Sequence, residues 1–426
     1  MRVLFVTAPF KSHLYVQVPI ASALRTAGHQ VRVAAAPDMV DNIAATGLTG
    51  VSIGREVPLS TEMTAAAADL SLQVLRPDRA KARQPDYGGD DPHAELVSSI
   101  SGVRRLFTPE SAFDDIVAYA RQWQPDLVVW DTFAHAGTVA ARVCGAANAR
   151  ILFGVDGYGQ LRSACGAPGG KHWPAGLVDP VREWLEPVLA RFGSSYDDDV
   201  AMGDWTIFPM PPWIWRPQGV AYVPVRHVPY HGPAVVPDWV LEPPKRRRIC
   251  VTLGMSHRDN DFGVEASARA VFDAVADLDV EVVATLNAKQ LAVAPTVPDN
   301  VRVADFVPLN VLLPTCAAIV HSGGAGTFAA AIEHGVPQLI VPNTYFSERW
   351  WGPVAMANGV EDQGAGVYVG DADQLTADGL RQDLLRVLED PAYADNAARV
   401  RDETLGMPAP NDIVPVLEKL TAAHRR

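Results

Sequence analysis

Three groups of residues in the sequence are of types suited to chemistry on a hydroxyl or a phosphate. In the first, Phe10-Lys11-Ser12-His13-Leu14 follows the apolar run Val3 to Val6, and Asp131 ends the apolar run Leu127 to Trp130. A histidine, with an ordinary pKa of about 6.5, accepts a proton near neutral pH. A carboxylate on its other ring nitrogen would fix the tautomer and stabilise the imidazolium as it forms. Both residues also have plainer uses, His13 as a cap on the helix that follows its loop and Asp131 as an N-cap. The second stretch is His321-Ser322-Gly323-Gly324-Ala325-Gly326-Thr327, set between an apolar strand and a helix start. Free backbone N–H groups and the helix dipole make such a junction an anion site. Its glycines let the backbone approach a phosphate, and Thr327 and His321 can add side-chain hydrogen bonds; a tight turn of small residues is the alternative. The P-loop pattern Gly-x4-Gly-Lys-Ser/Thr is absent, and so is Gly-x-Gly-x-x-Gly. The third, Asp197-Asp198-Asp199, has the carboxylates to hold a divalent ion, but its flanks read as a helix start or a solvated loop.

Positioning these residues requires elements, and the apolar periodicity supplies them. Val3–Val6 is a short continuous apolar run, as in a strand buried on both faces. Val16, Ile20, Ala23, Leu24 and Ala27 then recur at helical spacing, with Gly28 at the C-terminal stop. Strands at Val31–Val33 and Val51–Ile53 flank a helix over Asp38–Ala45, a sequence of elements that predicts a parallel α/β sheet. Arg55 to Thr108 is irregular. Regularity returns with a helix over Ala112–Trp123, a strand at Leu127–Trp130, a helix over Ala134–Val143 and a strand at Ile151–Phe153. Between Pro209 and Pro244 lie ten of the chain's 34 prolines, a composition that predicts a stiff connector packed along a domain surface. A second α/β series follows, with strands at Ile249–Leu253, Val280–Ala284, Val301–Val303, Ala318–His321, Gln338–Val341 and Val367–Val369. The expected organisation is residues 1–208, a connector over 209–247, a second domain over 248–408, and a last helix over 409–426.

Length and composition limit the function classes. The 426 residues suffice for two or three domains, and 48% hydrophobic against 20% charged residues is the balance of an ordinary globular protein. A formal net charge of −13 argues against a nucleic-acid binder, which needs a basic face. Four cysteines lie far apart without CxxC or zinc-ligand spacing, so reduced thiols in a cytoplasmic protein are expected. No apolar run approaches the ~18–20 residues of a membrane span.

The string Ala317-Ala318-Ile319-Val320-His321-Ser322-Gly323-Gly324-Ala325-Gly326-Thr327, followed by His334-Gly335-Val336-Pro337-Gln338, resembles the donor-site signature of GT-B glycosyltransferases that decorate natural products. Ser12-His13-Leu14 with Pro19, Ala27-Gly28-His29-Gln30-Val31, Gln124-Pro125-Asp126-Leu127, Thr252-Leu253-Gly254, Pro298-Asp299-Asn300-Val301 and Phe306-Val307-Pro308 extend the match. With Pro229-Tyr230-His231-Gly232-Pro233 they resemble the subgroup that attaches deoxysugars to polyketides in antibiotic biosynthesis. The resemblance covers nearly the whole chain except residues 55–108 and 343–361.

That resemblance implies two facing Rossmann-like domains, the first for the acceptor and the second for the nucleotide sugar, with the last helix crossing back. It assigns His13 as general base and Asp131 as its carboxylate partner. Val307 and Pro308 match the segment against the nucleobase, Gly254 and Ser256 a loop near the diphosphate, and His321 with Gly323, Gly324, Ala325, Gly326 and Thr327 its main cradle. It implies inversion by direct displacement with neither metal nor cofactor. Many relatives using uridine diphosphate sugars carry a glutamate where this chain has Ala329, so thymidine diphosphate (TDP) is the expected carrier. Ser347 and Glu348 are the expected sugar contacts, in a stretch longer than in relatives. The expected partners are a TDP-deoxysugar and a polyketide-type acceptor, with an auxiliary activator protein and a homodimer left open. The alternatives are a nucleotide-sugar epimerase or hydrolase on the same fold and a non-catalytic partner subunit.

Overall fold

A computed structural model describes residues 1–57, 91–253, 265–292, 296–342, 352–372 and 374–425. Gly254, Ser256, Ser347 and Glu348 lie outside the described residues, as do residues 58–90 of the irregular stretch.

Among the described residues the apolar runs build two wholly parallel sheets. The first has seven strands in the order β3-β2-β1-β4-β5-β6-β7, with β1 Arg2–Val6, β2 Gln30–Ala35, β3 Thr49–Ser52, β4 Leu127–Asp131, β5 Ala147–Ile151, β6 Trp205–Phe208 and β7 Tyr222–Pro224. The second has six in the order β10-β9-β8-β11-β12-β13, with β8 Arg247–Thr252, β9 Val280–Thr285, β10 Val301–Ala304, β11 Cys316–His321, β12 Gln338–Ile340 and β13 Gly366–Tyr368. The helices that bear on the site are α1 Lys11–Thr26, α2 Pro92–Leu106, α3 Ala136–Cys144, α4 Gly157–Ala164, α5 Pro180–Arg191, α6 Ala325–Glu333 and α7 Val414–His424. In each sheet the chain winds outward from its first strand, then returns to pair a later strand on that strand's other edge. Val6 thus pairs with Ala34 of β2 and Trp130 of β4. Thr252 pairs with Thr285 of β9 and His321 of β11. The order reverses between β1 and β4 and between β8 and β11, and ligands of doubly wound sheets bind beyond such reversals.

Three readings of the sequence change in the structure. His13 is not in a loop: α1 starts at Lys11, because extended Phe10 already accepts Leu14 N–H at its carbonyl, so His13 stands in the first turn. The strand expected at Ile151–Phe153 is Ala147–Ile151, disguised by Asn148 and Arg150, whose buried polar groups are paired inside the protein. The Pro-rich stretch is more than a connector, since Tyr222–Pro224 forms the edge strand β7, a position where proline is tolerated.

One apolar core joins the two halves. Leu152, Val155 and Phe208 pack in a single cluster with Phe328, Ile340 and Val354. At the chain's end, α7 lies on the first sheet, with Leu417 in that sheet's core and Arg425 paired with Asp126.

Candidate active site

The end of β1 and the end of β4 bring His13 and Asp131 together. His13 Nδ1 lies 2.8 Å from Asp131 Oδ2, and both side chains are buried, at 5% and 1% exposure. Asp131 Oδ1 accepts the Phe133 backbone N–H at 2.8 Å, which fixes the carboxylate's plane. With Nδ1–H donated to Asp131, the lone pair sits on Nε2, the form a general base requires. Around the imidazole stand three phenylalanines, with ring centroids 3.7 Å away for Phe153, 5.0 Å for Phe10 and 5.2 Å for Phe133. These rings carry no competing acceptor. Phe10 belongs to the stretch that carries His13, whereas Phe153 and Phe133 stand out only once β5 and β4 are placed.

At the reversal of the second sheet, β11 ends in His321 and the glycine turn opens α6. Gly324 is the N-cap and makes no side-chain cap, and the first N–H groups of α6 have no partner within the helix. A Cβ built on Gly324 or Gly326 would meet nothing within 4 Å, which leaves open space above the turn for a ligand. Gly323 serves a different purpose: its φ is +78° and a Cβ there would lie 2.7 Å from Pro353 Cβ. Ser322 Oγ donates to Leu253 O at 3.0 Å, tying the turn to the end of β8. Thr327 is half-buried one residue past Gly326, and Ala329 is buried on α6.

His321 departs from its expected role as a side-chain ligand of phosphate. Its Nδ1 accepts the Gly323 N–H at 3.1 Å, and its Nε2 faces Gln338 Oε1 at 2.9 Å. Both nitrogens are engaged inside the protein, so the ring shapes the turn. Burial pushes its pKa down to about 4, keeping it neutral. Gln338, quoted in the sequence only as part of the strand and signature after the turn, is the second residue that holds it.

Val307 and Pro308 are buried where β10 leads into the next helix, with Val307 in a core beside Leu312 and Ile319. Asp197 N-caps a short helix and pairs with Arg142, while Asp199 pairs with Lys171. This acidic run is a helix start with basic partners. Among the described residues no group of three or more His, Cys, Asp or Glu could hold a metal ion, and no helix is long and apolar enough to cross a membrane.

Two parallel sheets, each with polar machinery at its strand reversal, define a GT-B glycosyltransferase. Solved structures similar to it bear this out. Glycosyltransferase VinC in complex with DTDP superposes with a TM-score of 0.84 at 36% identity, covering 99% of this chain and 100% of that one. The spinosyn forosaminyltransferase SpnP gives 0.81 at 38%, covering 99% of each. The chain belongs to the erythromycin biosynthesis protein CIII-like family, whose N-terminal domain model matches residues 22–254 and C-terminal model residues 269–420. It is 48% identical to the aclacinomycin-T 2-deoxy-L-fucose transferase of Streptomyces galilaeus, over 100% of this chain and 97% of that protein. It is 41% identical to the 10-deoxymethynolide desosaminyltransferase of Streptomyces venezuelae, over 100% and 98%.

Proposed function

We propose that the chain transfers a deoxysugar from TDP to a hydroxyl of a polyketide-type acceptor in antibiotic biosynthesis, with inversion and without a metal or cofactor. The observation that carries this reading is the buried His13–Asp131 pair, 2.8 Å apart at the first sheet's reversal. The acceptor hydroxyl gives its proton to His13 Nε2 as its oxygen attacks the anomeric carbon. A new carbon–oxygen bond forms on one face while the bond to the diphosphate breaks on the other, so the configuration inverts. Asp131 stabilises the imidazolium, and the negative charge gathers on the departing TDP. The open N-terminus of α6, with Ala325, Gly326 and Thr327 at its start, receives that charge through backbone N–H groups and the helix dipole. Val307 and Pro308 border the nucleobase, and Ala329 suits a ribose without a 2′-hydroxyl. Gly254, Ser256, Ser347 and Glu348 complete the donor side of this reading. In this reading the enzyme draws on the cytoplasmic pool of nucleotide sugars.

The test is turnover of a TDP-deoxysugar with polyketide aglycones in EDTA, followed by mass spectrometry and by NMR of the anomeric proton. Glycoside of inverted configuration with released TDP is expected. Turnover that stops in EDTA and returns with a divalent ion would overturn the metal-independent mechanism.

A further inference from the structure

A narrow cavity lies behind the wall of the general base. It is enclosed by α2, the turn from Asp131 to His135, the loop after β5 and α4, and its lining includes Ile100, Val103, Phe133, Leu152, Phe153 and Leu161. Phe133 and Phe153 are the same rings that flank His13. In this apolar lining stand two polar side chains that have no hydrogen-bond partner among the described residues. His135 is 0% exposed with neither ring nitrogen paired, and Ser99 Oγ of α2 is likewise unpaired at 6% exposure. Other polar groups around the cavity are engaged. Asp156 is held by Arg150, Tyr222 and the Gly159 N–H, Thr132 Oγ donates to Ile151 O, and Tyr158 OH donates to Ala201 O. Buried polar groups are almost always paired, and an apolar residue would pack in this lining without that defect.

We propose that His135 and Ser99 form an oxygen pocket of the acceptor site, taking one keto or hydroxyl oxygen of the acceptor's ring system, away from the hydroxyl that is glycosylated. This rests on the acceptor reading given above. Size, charge and hydrogen-bonding capacity all select that group. The free volume of about 20 Å³ admits one oxygen-sized group and no ring. Burial, with Arg150 and Arg162 nearby, pushes the His135 pKa down to about 3, so the ring is neutral and offers one N–H and one lone pair. The two arginines are bound to Asp156 and Asp179, which leaves no charge to hold an anion. A keto oxygen accepts from the imidazole or from Ser99; a hydroxyl does both.

The experiment compares aglycone pairs that differ by a single keto or hydroxyl oxygen on the ring system, assayed with wild-type enzyme, His135→Phe and Ser99→Ala. Acceptor KM, kcat, donor KM and thermal midpoint are read for each. Wild type should prefer the oxygenated member of at least one pair by about 10–100-fold in kcat/KM. His135→Phe should raise that member's acceptor KM by a similar factor and erase the preference. Its donor KM should stay unchanged and its midpoint equal or exceed wild type, which a merely structural histidine would not combine with lost selectivity. Ser99→Ala should move the preference in the same direction by less. If His135→Phe does not fold, the preference is read on Ser99→Ala. Wild-type acceptor KM and preference in the variants, or a wild type that treats every pair alike, would overturn the proposal and leave the cavity to a resident water. Failure of the wild type to glycosylate any aglycone would instead overturn the acceptor reading, and this inference with it.

Discussion

The backbone N–H of Gly323 donates to His321 Nδ1 over 3.1 Å, a bond that only a neutral imidazole accepts. The same ring faces Gln338 Oε1 through Nε2, so one side chain couples the glycine turn to β12. Protonation would place an N–H against an N–H and open the turn that we assign to the diphosphate. Burial pushes the His321 pKa down to about 4, against about 6.5 in the unfolded chain. Between those values the unfolded state binds the proton and the folded state does not. The stability from this group is therefore complete above pH 6.5 and is lost as pH falls toward 4, at most roughly 3 kcal/mol. His135 and His227, lowered to about 3 and about 4, add to the same slope. Denaturant unfolding between pH 7.5 and 4.5 should show wild-type stability falling with acid and His321→Gln falling less. Equal slopes would remove His321 from the account.

Neighbouring glycines should fail in different ways. Gly323→Ala forces a side chain into φ +78° and to within 2.7 Å of Pro353 Cβ. It should cost about 1–3 kcal/mol of stability. Gly324 has φ −66° and open space where its Cβ would be, so Gly324→Leu should leave the thermal midpoint nearly unchanged. Its side chain would fill the space assigned to the diphosphate, and TDP affinity should fall at least about tenfold. Calorimetry of TDP binding beside thermal melts separates the two. Full TDP affinity in Gly324→Leu would move the diphosphate elsewhere.

The contrast between those glycines was not legible in the sequence, which showed only a small-residue turn at a strand–helix junction. What was legible rested on periodicity: the strands of the second half and the parallel α/β class followed from short apolar runs between helical patterns. Ala147–Ile151 stayed hidden because Asn148 and Arg150 look wrong for a buried strand until Trp130, Asp156 and Thr206 are seen to pair with them. Tyr222–Pro224 stayed hidden because proline marks a connector more often than an edge strand. His13 and Asp131 were visible as candidates, but 118 residues separate them and only the reversal between β1 and β4 makes them neighbours. His135 belonged to no motif. Its meaning comes from partners it lacks, which a sequence does not display.

Nucleotide choice should follow Ala329, buried on the helix that opens at the glycine turn. It presents no carboxylate to a ribose 2′-hydroxyl, so a uridine carrier would bury that hydroxyl without an acceptor. TDP should bind more tightly than uridine diphosphate, and Ala329→Glu should narrow the gap. Tighter binding of uridine diphosphate to wild type, measured by calorimetry, would sink the assignment of the thymidine carrier.

The heaviest consequence falls on His13. A positioned base contributes about 10²–10⁴-fold to a step in which a hydroxyl loses its proton. His13→Ala should cut kcat by about that factor with an aliphatic alcohol acceptor, because such a hydroxyl is too weak an acid to ionise unaided. TDP affinity should be nearly unchanged, since the turn assigned to the donor belongs to the second sheet and His13 to the first. Asp131→Asn should lose less than His13→Ala, because the amide keeps the 2.8 Å contact but no longer offsets the imidazolium's charge. The Asn side chain can also turn its NH₂ toward Nδ1, which moves the ring proton to Nε2 and takes away the basic lone pair. Part of the loss in Asp131→Asn should therefore return at higher pH, where the acceptor needs less help. A phenolic acceptor should show a much smaller His13→Ala effect than an aliphatic one. Equal losses on both acceptors would mean that His13 places the acceptor instead of taking its proton, and full turnover in His13→Ala would end the assignment.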